Sequence, residues 1–460
     1  MLVGLTAASV GIIYGYDLSS IAGALLFISK QFDLTVAQKG LVTTMVVIGQ
    51  IGGALGGGVL ADVIGRKKSM VAILAGYALF ALLGATAVSL PMLLIARFLL
   101  GVTIGVSVVV VPVYVAESAP TAVRGRLLTA YQFATLTGII LGYLVGYLLA
   151  GTQNWRWMLG LATVPAVVLL PLLLRMPDTA RWYLRKGRVD EARRALLRIE
   201  PEATAEAELA EIARAVSEDR DGPGGGISEM VRRPYLRATL FVVALGFLVQ
   251  ITGINAIVYY SPQLFEDMGF KGNFGKLALP AMVQVAGLVA VCVSLSLVDR
   301  LGRRPILLSG IAMMIIADAT LTAVFASDTG HLGSVALLLG FGGVLLFTIG
   351  FNFGFGSLVW VFAGESFPSH LRSMGSSMLL TSNLLANVLV AAFFLTMLNW
   401  LGISGVFAPF GAFAVVAFVV VYRFAPETKG RQLEDIRHFW ENGGRWPPES
   451  PESAKTGKAL

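Results

Sequence analysis

The sequence predicts an all-α membrane protein whose twelve transmembrane helices form two pseudo-symmetric six-helix halves, with short cytoplasmic helices between them. Three observations predict it: a composition too apolar for a soluble core, twelve apolar runs of membrane-spanning length, and short motifs that recur across the middle of the chain.

Of the 460 residues 56% are hydrophobic and only 14% charged, and mean hydropathy is +0.76. Soluble domains carry about 25% charged residues, so the excess apolar surface must face lipid, and a soluble enzyme with buried helices is excluded. The lone Cys292 lies in an apolar run, so no intramolecular disulfide is available. A net charge of +7 could suggest a nucleic-acid partner. The basic residues sit in short clusters between apolar runs, however, which membrane orientation explains better.

A helix needs about 20 apolar residues to cross the hydrocarbon. Runs of that kind lie at 4–28, 41–61, 70–88, 91–113, 127–149, 157–175, 238–260, 277–298, 306–326, 333–363, 374–397 and 402–424. The first contains Asp17 and many glycines and has no cleavage-like site after it, which argues against a removable signal peptide. Alternate loops differ in charge, with about 29 Lys and Arg on one side against about five on the other. That bias predicts a multi-pass protein of the plasma membrane with both termini cytoplasmic.

Residues 176–236 break the apolar pattern, reading as a basic amphipathic helix from Arg185 through Arg198, an acidic helix, and a hinge from Asp221 to Gly226. The expected organisation is a first half at 1–175, a helical linker at 176–236, a second half at 237–425 and a tail at 426–460. Asp62-Val-Ile-Gly65-Arg66-Lys67 recurs as Asp299-Arg-Leu-Gly302-Arg303-Arg304, Glu117-Ser-Ala-Pro120 as Glu365-Ser-Phe-Pro368, and Pro177-Asp-Thr as Pro426-Glu-Thr. Offsets of about 237, 248 and 249 residues are near-constant, as an internal duplication requires. Transporters built from such halves place substrate near the midplane between them.

Further strings stand in order along the chain: Gly15-Tyr16-Asp17, Arg97-Phe-Leu-Leu-Gly101-Val-Thr-Ile-Gly105, Pro112-Val-Tyr114-Val-Ala-Glu117, Asn154-Trp155-Arg156-Trp157, Gln250-Ile-Thr-Gly253-Ile-Asn255, Tyr259-Tyr260 and Pro426-Glu-Thr-Lys-Gly430. Together with the Asp-Gly-Arg repeats they cover nearly the whole chain and resemble the signature set of the sugar porter family of the major facilitator superfamily, in particular its bacterial proton-coupled sugar symporters. The resemblance implies secondary active import of a monosaccharide or similar polyol by proton symport with alternating access. The alternative is an uncoupled uniporter. Export of an amphipathic compound fits the amide-rich spans poorly, and a non-transporting sensor would need a signalling extension that 425–460 does not offer. The implied partners are the solute, a proton and the lipid bilayer, with no nucleic acid, no cofactor, and a functional monomer. No enzyme constellation is present, since His331, His370 and His438 are scattered.

Asp17 and Arg97 each lie within an apolar span, where a charge costs several kcal/mol unless paired, so each needs the other. In the proton-coupled sugar porters that the chain resembles, the matching aspartate is the protonation site and the arginine its partner. At the cytoplasmic ends Asp62, Arg66, Glu117 and Arg124 in the first half, and Asp299, Arg303, Glu365 and Arg372 in the second, can exchange salt bridges that latch one conformation.

A polyol needs donors and acceptors in an otherwise apolar cavity, and side-chain amides supply both without net charge. Amides inside the spans include Gln132, Gln250, Asn255, Gln284, Asn352, Asn383 and Asn387. By resemblance, Gln132, Gln250, Asn255 and Asn383 occupy sugar-contacting positions and Trp360 covers the sugar; Asn352 is counted with them. Gln250 and Asn255 are five residues apart, about 140° on a regular helix, so a break near Gly253 would help both reach one cavity. The sequence departs from the family pattern at Val249 and Gly287, where related carriers have amides, at Gly356-Ser357-Leu358-Val359-Trp360, which lacks the usual prolines, and at Leu384, where a tryptophan is common.

Overall fold

The computed structural model describes residues 6, 9–118, 124–198, 202–221, 227–233, 235–326, 333–367, 369–429, 439–440 and 442. Among these residues the chain is all α, without strands. The first six spans are α1 (Gly11–Gln31), α2 (Val36–Ile64), α3 (Arg66–Ala85), α4 (Leu90–Ser118), α5 (Arg124–Leu149) and α6 (Trp155–Leu174). Four shorter helices follow: α7 (Ala180–Arg185), α8 (Val189–Leu197), α9 (Glu202–Asp221) and α10 (Ile227–Met230). The seventh to tenth spans are α11 (Leu236–Asp267), α12 (Phe274–Leu301), α13 (Arg303–Ala326) and α14 (Ser334–Ala363).

The long helix Ser369–Phe424 has 56 residues. At 1.5 Å per residue it would reach more than about two and a half times the hydrocarbon thickness. Gly402, at φ 68, interrupts it. It is therefore two spans, α15 (369–401) and α16 (403–424), which makes twelve among the described residues.

Several expected boundaries shift. The first span is a helix over Gly11–Gln31, and its expected start at residue 4 lies outside the described residues; the seventh runs on to Asp267 because its polar last turn still hydrogen-bonds as helix. The basic amphipathic helix expected from Arg185 to Arg198 is instead two helices, because Gly187 adopts φ 74 between them. The acidic helix is present as α9; most of the hinge, at 222–226, lies outside the described residues. The tenth span is broken at Gly354, so glycine does serve there in place of proline.

Within each half, helices meet through small residues, as expected where lipid offers no hydrophobic drive to association. A Cβ at Gly101 would lie 2.1 Å from the Val46 carbonyl oxygen, and one at Gly53 would lie 2.0 Å from that of Val102. The α2 and α4 backbones are thus in direct contact. By contrast, Gly52, Gly56 and Gly58 on the same helix face open space.

The halves touch on the side away from the basic loops. There the Tyr143 hydroxyl donates to the Val258 carbonyl, the Tyr147 and Phe274 rings meet edge to face at 6.3 Å, and Gly40 lies against the Ala392 carbonyl. At the basic ends the ion pairs of Arg66 with Asp62 and Glu117, and of Arg303 with Asp299, each lie within one half.

Candidate functional site: a buried ion pair and an amide cluster

The α1 and α4 spans place Asp17 and Arg97 face to face. Arg97 Nη1 donates to Asp17 Oδ1 at 2.6 Å, and both side chains are only 3% exposed. Asp17 Oδ2 and Arg97 Nε have no hydrogen-bond partner. Gly15 puts the α1 backbone against α5 two residues before the acid, since a Cβ there would be 1.8 Å from the Thr135 carbonyl oxygen. The carboxylate therefore has one strong partner and little room. Removing one member of a buried pair costs about 3–5 kcal/mol, so the two charges depend on each other.

The amide cluster is assembled around a break in α11. Gly253 has φ 100, a left-handed conformation that only glycine adopts without strain. Phe410 also lies where a Cβ at this position would fall, at 2.5 Å. The break divides the span into Leu236–Ile251 and Ile254–Asp267, as the angular separation of Gln250 and Asn255 requires. Gln250 Nε2 donates to Asn383 Oδ1 at 3.2 Å, joining α11 to α15. Gln250 Oε1 and Asn255 Nδ2 are buried without partners, leaving an acceptor and a donor free. One turn beyond Asn383, Asn387 Nδ2 donates to the Tyr259 hydroxyl at 3.3 Å.

The other expected site residues fare differently. Trp360 is 45% exposed and Gln132 partly buried. Asn352 is turned onto its own helix, Nδ2 donating to the Thr348 carbonyl at 3.0 Å. It fills space beside Gly287, where a Cβ would meet Asn352 Nδ2 at 2.7 Å. The amide absent from the eighth span is thus replaced in volume by one from the tenth.

At the basic ends the two halves differ. Arg66, almost fully buried, pairs with Asp62 at 2.8 Å and Glu117 at 3.1 Å. Arg303 pairs with the exposed Asp299 at 3.1 Å, while Glu365 Oε2 has no partner among the described residues. The side chains of Arg124 and Arg372 lie outside the described residues.

Sequence reasoning missed two members of these networks. Asp178 Oδ1 accepts from the Arg66 and Lys67 amides at 3.0 and 3.2 Å, capping α3. Glu427 does the same for α13, its two oxygens accepting from the Arg303 and Arg304 amides at 3.0 and 3.1 Å. Each carboxylate answers unpaired N–H groups and the positive end of a helix. Thr179 Oγ1 donates to Glu117 Oε2 at 2.6 Å, tying the cap to the Arg66 network. The signal was visible as the repeat of Pro177-Asp-Thr in Pro426-Glu-Thr. Replacing Asp178 with Ala is expected to lower stability by about 0.5–2 kcal/mol, as for other lost caps. Thermal unfolding in detergent checks this, with Asp178→Asn expected to lose less.

Residues 3–440 match the family model described as sugar (and other) transporter. The chain belongs to that family. It is 33% identical over 435 residues to the galactose-proton symporter of Escherichia coli (strain K12), covering 94% of this chain and 92% of the relative. It is 31% identical over 466 residues to polyol transporter 5 of Arabidopsis thaliana, covering 96% and 86%. Among solved structures, the major facilitator superfamily proton:xylose symporter XylE bound to 6-bromo-6-deoxy-D-glucose aligns at a TM-score of 0.79 and 27% identity, covering 96% of this chain and 98% of that one. The protein is therefore a multi-pass membrane transporter of the major facilitator fold, and not an enzyme.

Proposed function

We propose that the protein imports a monosaccharide or similar polyol across the plasma membrane together with a proton, by alternating access, as a monomer with both termini cytoplasmic. The observation that carries this reading is the buried pair of Asp17 and Arg97, at 2.6 Å. A titratable acid inside a sugar transporter is what proton coupling needs and what simple facilitated diffusion does not. The domain boundaries expected from the sequence, 1–175, 176–236, 237–425 and 426–460, fit a rocking of two halves joined by the linker.

In this reading Asp17 takes the proton and Arg97 responds to its charge. Gln132, Gln250, Asn255 and Asn383 surround the sugar edge, and Trp360 offers a ring face to its C–H groups. Asn352, bonded to its own helix, shapes the pocket rather than reaching the sugar. The Gln250–Asn383 bond is the kind of contact a sugar hydroxyl would exchange for itself, and the free Gln250 and Asn255 atoms are its first partners. The Arg66 and Arg303 networks, including Asp62, Glu117, Arg124, Asp299, Glu365 and Arg372, act at the cytoplasmic ends to bias which side is open. With the basic loops taken as cytoplasmic, the contacts between halves through Tyr143 and Gly40 support a state closed toward the outside.

The test is a panel of hexoses, pentoses, deoxy sugars and polyols offered to proteoliposomes with and without an imposed pH gradient. Uptake of at least one member, accumulated only with the gradient, is expected; accumulation of none of them contradicts the reading. Gln250→Ala is expected to raise KM for the transported solute by roughly tenfold, from one or two lost neutral hydrogen bonds of about 1 kcal/mol each. An unchanged KM in concentration-dependent uptake would remove Gln250 from the site.

A further inference from the structure

A second acid lies inside the membrane-spanning bundle, in α13. Asp318 is fully buried, at 0% exposure, and both of its carboxyl oxygens lack any hydrogen-bond partner. Thr322, one turn along the same helix, also has a buried hydroxyl without a partner. The acid packs on α16 at Gly411, where a Cβ would lie 3.1 Å from Asp318 Cβ and 3.9 Å from Oδ2.

Among the described residues no cation stands near enough to pair with it. The α13 helix packs against α12, α14 and the continuous helix that holds α15 and α16. Its own Arg303 and Arg304 are at its first turn, with Arg304 about 21 Å away along the axis. On the neighbours, Asp299 and Arg300 end α12, Glu365 follows α14, His370 and Arg372 begin α15, and Tyr422 and Arg423 end α16. All belong to that same basic end. Cys292 is an exposed thiol in α12, and Lys276, at the far end of α12, pairs with Glu266. Asp328 and His331 lie outside the described residues.

An isolated ionised carboxylate in such surroundings is prohibitively costly, and the usual resolution is neutralisation. We propose that Asp318 is a second proton-binding site of this protein, distinct from Asp17, holding a resident proton between α13 and α16 at neutral pH. The two acids are then opposites by construction. Asp17 faces an arginine and can exist charged, so its proton can be exchanged. Asp318 has no ion-pair or hydrogen-bond partner among the described residues, so its proton stays.

The direct test is the infrared difference spectrum of wild type minus Asp318→Asn at neutral pH in deuterated buffer. A positive carboxylic-acid C=O stretch is expected. Bands of an ionised carboxylate in its place overturn the proposal. Stability gives an independent reading. Folding that retains a proton which the unfolded aspartate loses above about pH 4 must weaken as pH rises. The Tm of wild type is therefore expected to fall relative to Asp318→Asn between mildly acidic and neutral pH. A gap that is flat, or that moves the other way, contradicts it. Asp318→Ala, which also lacks the carboxyl, serves for both measurements if the Asn variant does not fold. Because the proton is resident, Asp318→Asn is expected to retain gradient-driven accumulation, where Asp17→Asn does not; loss of accumulation in folded Asp318→Asn would make the proton an exchanged one and refute residency. The infrared and stability results stand whatever solute is carried, so their failure is distinguishable from failure of the proposed function.

Discussion

Asp17→Asn is expected to abolish uphill, pH-gradient-driven accumulation while leaving sugar binding and counterflow measurable. The substitution keeps the shape of the side chain and removes its ability to alternate between charged and neutral. In the wild type an ionised Asp17 holds Arg97 at 2.6 Å; once protonated it holds it less strongly, and Arg97 becomes free to take other partners. Proton occupancy can bias the two-state equilibrium only by the difference between those interactions, on the order of 1–3 kcal/mol, or 5- to 150-fold. With Asn at 17 that difference vanishes, and the accumulation ratio should fall to one. Counterflow, which needs only exchange of solute, should continue. Accumulation that persists in the Asn variant would move the proton site elsewhere.

The second large effect is structural. Gly101→Val is expected to lower stability by about 3 kcal/mol, at the upper end of ordinary overpacking, and to reduce the yield of folded protein. A Cβ at 101 would sit 2.1 Å from the Val46 carbonyl oxygen and 2.8 Å from its carbon. These are backbone atoms, so relief requires α2 and α4 to separate, and Arg97 one turn away would shift with them. Gly52→Val is the matched control. Nothing lies within 4 Å of its Cβ position, so its Tm should stay at the wild-type value. Equal losses in the two variants would mean that glycine matters here for helix flexibility rather than for close approach.

The parts legible in the sequence were those set by the bilayer. Asp17 and Arg97 could be paired on paper because a charge in hydrocarbon must find an opposite charge, and few are available. The break at Gly253 followed from the 100° advance per residue, which keeps Gln250 and Asn255 apart unless the helix yields. Contacts between remote segments were less accessible. The Gln250–Asn383 bond spans 133 residues, and nothing local to either residue announces it. The Asp178 and Glu427 caps were hidden differently: their motif was seen to repeat, but a repeat says that two places are alike without saying what the acid touches. Gly187 divides a helix whose apolar pattern runs straight through it, because periodicity does not record a positive φ. Asp318 obeys the same intramembrane rule as Asp17, yet no matching cation or motif drew it out, and its isolation became visible only once its neighbours were placed.

Coupling itself is tested most directly by following protons rather than sugar. When the transported solute is added to lightly buffered vesicles with no imposed gradient, the external medium should turn alkaline as each inward-moving solute takes a proton with it, and Asp17→Asn vesicles should show no such change. Solute entry in wild-type vesicles without any accompanying alkalinisation would contradict symport and leave facilitated diffusion as the activity.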